Sequence, residues 1–377
     1  MIGFIFKKDN ILVSYIILFF AFLFITNSNF TIDQTIQVAG AVDGYQYFLI
    51  SKNVPFVAQD IQYIKGERFM IPYIIGLISK STGLDLFFTY KISSVIAFLY
   101  LTFLFTRILR NINLNTNTII ISVSLIVFNP YLFRYFLSVP TMIGDLIFMI
   151  ASLLILEGLL KKEKPKIFYG FVISLISRQN GIIFFISFLI SKLILRKKSI
   201  FTVTDIIYFL IISILIYSIS TFYAINAAPL AQKGSDFYKT ILTGTFGFNY
   251  TLKEFIFFII YPLLSFGPML ILLLSKKLNV TKKINVELMI ILILSFLGIV
   301  GVAFLAGPTV AGKNFIRLSN FIFPSLVIFI NLLFLENINI LNKKYYIFFI
   351  ILIFIIWSFH PTFSKINVFE PLKNLLN

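Results

Sequence analysis

The sequence predicts an all-α fold, a polytopic transmembrane helical bundle of about eleven spans, and three observations predict it. First, 59% of the 377 residues are hydrophobic and only 12% are charged, with a mean hydropathy of +0.97. A water-soluble globule has no way to hide that much apolar surface. Second, apolar runs long enough to cross a hydrocarbon core of roughly 30 Å, about 20 residues each, recur from the N-terminus almost to the end. Third, the 32 Lys and Arg residues gather in short clusters between those runs, as cytoplasmic loops require. The net charge of +17 therefore reads as membrane topology, with the lipid bilayer as partner and no nucleic acid.

Apolar runs and their breakers place spans near 11–27, 86–106, 118–133, 139–160, 166–177, 181–195, 203–223, 253–274, 286–306, 315–335 and 345–360. The first follows Lys7 and Lys8 and is succeeded by Asn27-Ser28-Asn29-Phe30, which lacks a small-residue cleavage site, so it is expected to remain as an uncleaved span. With the N-terminus inside, the count puts Arg107 and Arg110, the 161–166 run, Arg196-Lys197-Lys198, Lys276 with Lys277, Lys282 with Lys283, and Lys343 with Lys344 in the cytoplasm. That agreement depends on the segment 69–83, which is apolar but short and carries Pro72 and Gly76. A crossing there would throw the later basic loops to the wrong side, so it is expected as an interfacial or re-entrant helix. The outer face then holds an interfacial helical first loop over 28–85 and a second long loop over 224–252. The short runs 166–177 and 181–195 meet at Ser177-Arg178-Gln179-Asn180-Gly181, as two spans or as one bent hairpin.

The chain has no Cys and a single His, His360. Disulfides and thiol catalysis are excluded, and zinc sites and Ser-His triads nearly so. Acid–base chemistry falls to carboxylates. Asp43, in Val42-Asp43-Gly44-Tyr45 shortly after the first span, is the leading candidate: a carboxylate at the membrane surface is partly desolvated and its pKa rises toward that of a useful base. A solvated helix cap is the other reading of the same residues. Glu67 and Arg68 precede the interfacial segment, where a planar guanidinium at headgroup level can hold a phosphate or simply anchor the interface. Asp145 falls near the outer end of an apolar span, where an ionisable group needs a cavity or a partner. Arg134 and Arg178 lie on the same expected side and are its candidate partners, in a substrate site or in a structural ion pair. Gln179 shares the turn with Arg178. Lys313 and Arg317 put two cations at the outer mouth of a late span, against the topological bias, and so ask for an anionic ligand or snorkel to the interface. The aromatic residues, 18% of the chain, are expected mostly as lipid-facing bulk and interface belt.

In order and placement these features resemble the C-type (GT-C) glycosyltransferases, polyprenyl-phosphate-sugar-dependent membrane enzymes that include the mannosyltransferase and ArnT-like families. The likeness lies in a first span, a long outer loop with the early Asp43, and Arg68-Phe69-Met70-Ile71-Pro72 leading to a short apolar helix. It continues in Asn129-Pro130 followed by Asp145, the Ser-Arg-Gln-Asn-Gly turn, and a span running from Arg317 to Pro324. The early Asp is followed by Gly where several branches carry a second acidic residue, which speaks against a metal cofactor. The resemblance implies a GT-C-like transmembrane module over 1–252 and a variable C-terminal module over 253–377. It implies an enzyme that transfers a sugar, with inversion, from a polyprenyl-phosphate-linked donor to a hydroxyl of a lipid- or glycan-type acceptor, with Asp43 as general base. Glu67, Arg68, Arg134, Asp145, Arg178, Gln179, Lys313 and Arg317 would form the substrate and phosphate site on the non-cytoplasmic face of a bacterial inner membrane. The alternatives are an O-antigen-type polymerase, a lipid-linked sugar flippase, or an assembly protein without chemistry.

Overall fold

The computed structural model describes residues 42–114, 116–129, 139–228, 251–256, 285–305, 320–334 and 344–358, together with Leu132, Phe136 and Ile260. Among them the structure is all-helical, with no strand, and four helices are long and apolar enough to cross a membrane: Leu86–Asn111, Pro140–Lys161, Gln179–Lys198 and Val203–Ala227. Shorter apolar helices occupy Thr118–Val127, Val286–Val302 and Asn320–Leu332. The expected spans at 11–27 and most of 253–274, and most of the second long loop, lie outside the described residues.

The described part of the first loop, from residue 42, is largely helical. Helix α1 (Val42–Asn53) and the single turn α2 (Tyr63–Gly66) precede α3 (Met70–Thr82), which occupies the segment read as interfacial. Pro72 sits in the first turn of α3, where its missing N–H is not needed, and Gly83 ends the helix in a left-handed conformation (φ 71°). At 13 residues, α3 is roughly 20 Å long, shorter than a hydrocarbon core. It packs tightly on α1: a Cβ on Gly76 would lie 2.3 Å from the Ser51 carbonyl oxygen, and the Ser51 hydroxyl donates to the Pro72 carbonyl at 2.6 Å.

Helix α4 (Leu86–Asn111) starts at Asp85, whose side chain accepts from the Phe88 N–H at 2.9 Å. After α5 (Thr116–Val127), a 3₁₀ turn at Pro140–Met142 leads into α6 (Ile143–Lys161). Pro165, in the first turn of α7 (Lys164–Ser177), fixes the start of the next helix. The helix breaks at Arg178, which is extended (φ −158°, ψ 144°), and a 3₁₀ turn at Gln179–Gly181 opens α8 (Ile182–Leu195). The two short apolar runs are thus two helices joined by a polar turn. Helix α9 (Val203–Ala227) begins with a full capping box between Thr202 and Asp205. Helices α10 (Val286–Leu305), α11 (Phe323–Phe334) and α12 (Lys344–Ser358) follow.

Helix α6 is the axis of the described bundle. Of its most apolar window 78% is buried, against 28% for α9, because α6 packs on α4, α7, α10 and α11, whereas α9 turns Ile207, Ile211, Ile214 and Phe222 outward. An exposed apolar face that long is what a lipid-facing helix presents. Close α6–α7 contact depends on small residues: a Cβ on Gly170 would lie 2.9 Å from the Ala151 carbonyl oxygen. Buried hydroxyl and amide groups tie the other helices together, with Ser152 to Ser325 at 3.0 Å, Ser187 to Ser295 at 3.1 Å and Asn331 to Ser122 at 2.8 Å. Aromatic residues do more than the expected lipid-facing duty. Phe148, Phe171, Phe184, Phe188 and Phe321 are fully buried, and Phe188 stacks on Phe201 at 4.8 Å, so rings fill much of the space between the helices.

Candidate functional site

Charged groups mark both ends of α6 and spare its middle. Asp145 lies in the first turn and Glu157 near the last, separated by roughly 18 Å of helix. The stretch between them is apolar apart from Ser152.

The Glu157 end is a basic collar. The buried Glu157 carboxylate accepts from Arg107 at 2.7 Å and pairs with Lys161 at 3.2 Å and Lys166 at 3.3 Å. Lys164 pairs with Asp205 at 2.6 Å, and Arg196, Lys197 and Lys198 sit on the exposed turn after α8. Nearby, Glu287 at the start of α10 receives the Ser199 hydroxyl at 2.6 Å. Arg107, Lys161, Lys164 and Lys166 neutralise these two acids, Glu157 and Asp205, while staying partly exposed.

The Asp145 end gathers the candidates. Arg178 Nε and a second guanidinium nitrogen both bond Asp145 Oδ1, and both side chains are nearly inaccessible, at 3% and 2%. The guanidinium also lies over the Phe321 ring, 4.4 Å from its centroid, a cation–π contact made more effective by burial. Of the two partners expected for Asp145, the structure therefore supplies Arg178. Arg134 lies outside the described residues.

One residue further along the turn, Gln179 bridges the Glu67-Arg68 pair. Its Nε2 donates to the Glu67 carboxylate, and its Oε1 accepts from Arg68 Nε at 3.3 Å. That orientation of the amide is the one chemistry permits, since a guanidinium only donates and an ionised carboxylate only accepts. Arg68 also donates to the Tyr47 hydroxyl at 3.3 Å, which brings α1 into the cluster. The Tyr47 carbonyl in turn accepts from the buried Tyr90 hydroxyl at 3.2 Å. The next residue, Phe69, stacks on Tyr223 of α9 at 4.0 Å, and a Cβ on Gly66 would lie 2.9 Å from Ala224 Cα, so the Glu67-Arg68 backbone is pinned between α9 and the turn. Burial pushes the Glu67 carboxyl up to about 7, with the Arg68 charge and the Tyr63 hydrogen bond pulling the other way.

The structure thus unites Glu67, Arg68, Asp145, Arg178 and Gln179 at one end of the bundle. For Asp43 only the backbone is described: it is the second residue of α1, one helical turn before Tyr47, and its side chain lies outside the described residues. Lys313 and Arg317 lie outside them as well. Tyr47 and Phe321 were not legible as site residues, being two aromatics among many. The one signal was their position: Tyr47 follows Asp43 by four residues and Phe321 follows Arg317 by four, the spacing of a helical turn. Among the described residues no three His, Cys, Asp or Glu side chains are grouped to hold a metal. Chemically, the cluster offers a guanidinium fork at a partly open position, a carboxyl poised to exchange a proton, and a buried ion pair that fixes the turn between them.

Compared with known proteins, the chain matches no family model, no curated protein and no solved structure.

Proposed function

We propose that this chain is a GT-C-type membrane glycosyltransferase that transfers a sugar from a polyprenyl-phosphate donor to an acceptor hydroxyl on the non-cytoplasmic face of a bacterial inner membrane. The observation that carries the reading is the meeting of Arg68 with Gln179, and of Arg178 with Asp145, at the end of α6 opposite the basic collar. Residues more than 100 positions apart converge there. By the positive-inside rule the collar faces the cytoplasm, which sets the cluster on the outer side of an arrangement of about eleven spans.

In this mechanism Asp43 takes the proton of the acceptor hydroxyl as the oxygen attacks the anomeric carbon from the face opposite the lipid phosphate, inverting that carbon. Negative charge grows on the departing phosphate, and Arg68, with Lys313 and Arg317, meets it in a partly dry site where such stabilisation is most effective. Arg178, committed to Asp145 and Phe321, is a positioning residue: it holds the turn that presents Gln179 to Arg68. The GT-C-like module over 1–252 carries these groups, and the 253–377 module adds Lys313 and Arg317. A flippase would want ionisable groups along a continuous path, whereas the described ones on α6 sit at its ends.

The test is sugar transfer from a prenyl-phosphate-linked donor by purified wild type and Asp43→Asn. Loss of turnover by at least about 100-fold in a normally folded variant is expected of a general base; turnover at the wild-type rate removes Asp43 from the mechanism.

A further inference from the structure

The proposed reaction has a charge problem at this site. The donor is a phosphodiester with one negative charge, and the departing lipid phosphate is a monoester with two. The acceptor hydroxyl gives up one proton as the C–O bond to the sugar forms and the sugar–phosphate bond breaks. The products are the glycosylated acceptor, the phosphate dianion and one proton. Glu67 sits beside Arg68, the cation assigned to that phosphate, and shares Gln179 with it. An ionised Glu67 and a phosphate dianion at Arg68 would repel one another strongly in a partly desolvated site.

We propose that Glu67 is the proton store of this site, taking up one proton when a phosphate dianion occupies it and releasing that proton when the dianion leaves. This rests on the glycosyltransferase reading and extends it. Asp43 remains the group that first receives the acceptor's proton, and Glu67 is the group that holds a proton through the product state. The stored proton removes the charge of Glu67 as the phosphate gains one, so that Arg68 faces the same net load from dianion and neutral Glu67 as from donor diester and ionised Glu67. Glu67 is suited to this because it is half-buried and already titrates at about 7, so that a modest repulsion carries it across neutral pH.

The charged and titratable groups on the surrounding elements do not duplicate the role. Tyr63, Lys65 and Arg68 share its own segment. Arg178 across the turn is held by Asp145. Tyr47 of α1 is bonded to Arg68, and Tyr223 of α9 receives the Ala58 N–H at 3.2 Å. Among the described side chains of this cluster, Glu67 is the carboxyl outside the Asp145–Arg178 pair.

The experiment is calorimetric titration of the detergent-solubilised full chain at pH 8 with farnesyl phosphate, a dianionic monoester, and with its methyl diester, a monoanion. Each titration is repeated in two buffers of different ionisation enthalpy, which yields the protons taken up per ligand bound. Wild type is expected to take up about one proton with the monoester and about none with the diester. Glu67→Gln is expected to bind the monoester with no uptake, and with an affinity that no longer falls about tenfold per unit of pH above 7. Monoester binding without uptake in wild type, or uptake that persists in Glu67→Gln, overturns the proton store and leaves the phosphate site standing. Failure of both ligands to bind overturns the phosphate site as well. Should Glu67→Gln not fold, the infrared difference spectrum of wild type decides. A protonated-carboxyl band that grows with monoester and not with diester supports the proposal, and its absence refutes it.

Discussion

Removing either partner of the Asp145–Arg178 pair takes a counter-ion from a charge held in a site that water hardly reaches. Both side chains are almost wholly inaccessible, and the guanidinium has an aromatic face against it. At an effective dielectric of about 20, two unit charges about 4 Å apart attract by about 4 kcal/mol. Loss of one partner from a buried pair costs about 3–5 kcal/mol because the other remains desolvated. Asp145→Leu and Arg178→Met should therefore each destabilise the chain by about 3–5 kcal/mol. The double variant removes both charges together and should lose far less than the sum, giving a coupling of about 3 kcal/mol. Arg178→Lys should recover only part of the loss, since an ammonium cannot place two nitrogens on Asp145 Oδ1 while lying flat on Phe321. The assay is denaturant unfolding in mild detergent for wild type, both singles and the double. Single variants within about 0.5 kcal/mol of wild type, or strictly additive losses, would refute the argument that burial makes this pair stabilising only as a pair.

Three further outcomes follow from the same structure. Gly170→Ala should destabilise by about 1–3 kcal/mol, because its Cβ meets the Ala151 carbonyl and the Ile155 backbone at 2.9 Å and α6 and α7 must separate; the same unfolding series checks it. Since the chain contains no Cys, Asn180→Cys and Lys162→Cys can be labelled individually in intact cells with a membrane-impermeant maleimide. Residue 180 should react from outside and residue 162 only after lysis; the reverse pattern would invert the proposed orientation. Glu67 binds its proton more tightly folded than unfolded, so its contribution to stability is complete below about 4.5 and is lost as pH rises through about 7. Wild type should lose stability across that window relative to Glu67→Gln, as followed by melting temperature against pH.

The helices were legible because lipid imposes a length and composition that sequence displays directly. Val203–Ala227 and Val286–Leu305 begin where the runs near 203 and 286 begin. The short helix at Met70–Thr82 was legible from Pro72, Gly76 and the charge count. Site residues were legible one at a time: an Asp in an apolar span, or an Arg in a polar turn, is costly and so stands out. Their pairing was not. Nothing local distinguishes Arg178 from Arg134 as the partner of Asp145, and the Gln179–Arg68 bond spans 111 positions, fixed by how α2, α7 and α9 pack and not by any motif. Tyr47 and Phe321 were hidden by abundance, in a chain with 18 Tyr and 47 Phe. The Glu157 collar is half visible in the sequence: its cations mark one face, whereas the buried acid that organises them is a single Glu at the edge of a basic run.

The proposed function has a phosphate-linked sugar react beside Arg68. The most direct measurement is the anomeric configuration and rate of product formation when purified wild type and Arg68→Ala are given a prenyl-phosphate sugar and an alcohol acceptor, followed by NMR. Transfer with inversion is expected of wild type, with a rate lower by about 100-fold or more in Arg68→Ala, the scale of a lost charge-stabilising donor. Retention of configuration, or equal rates for the two proteins, would contradict it.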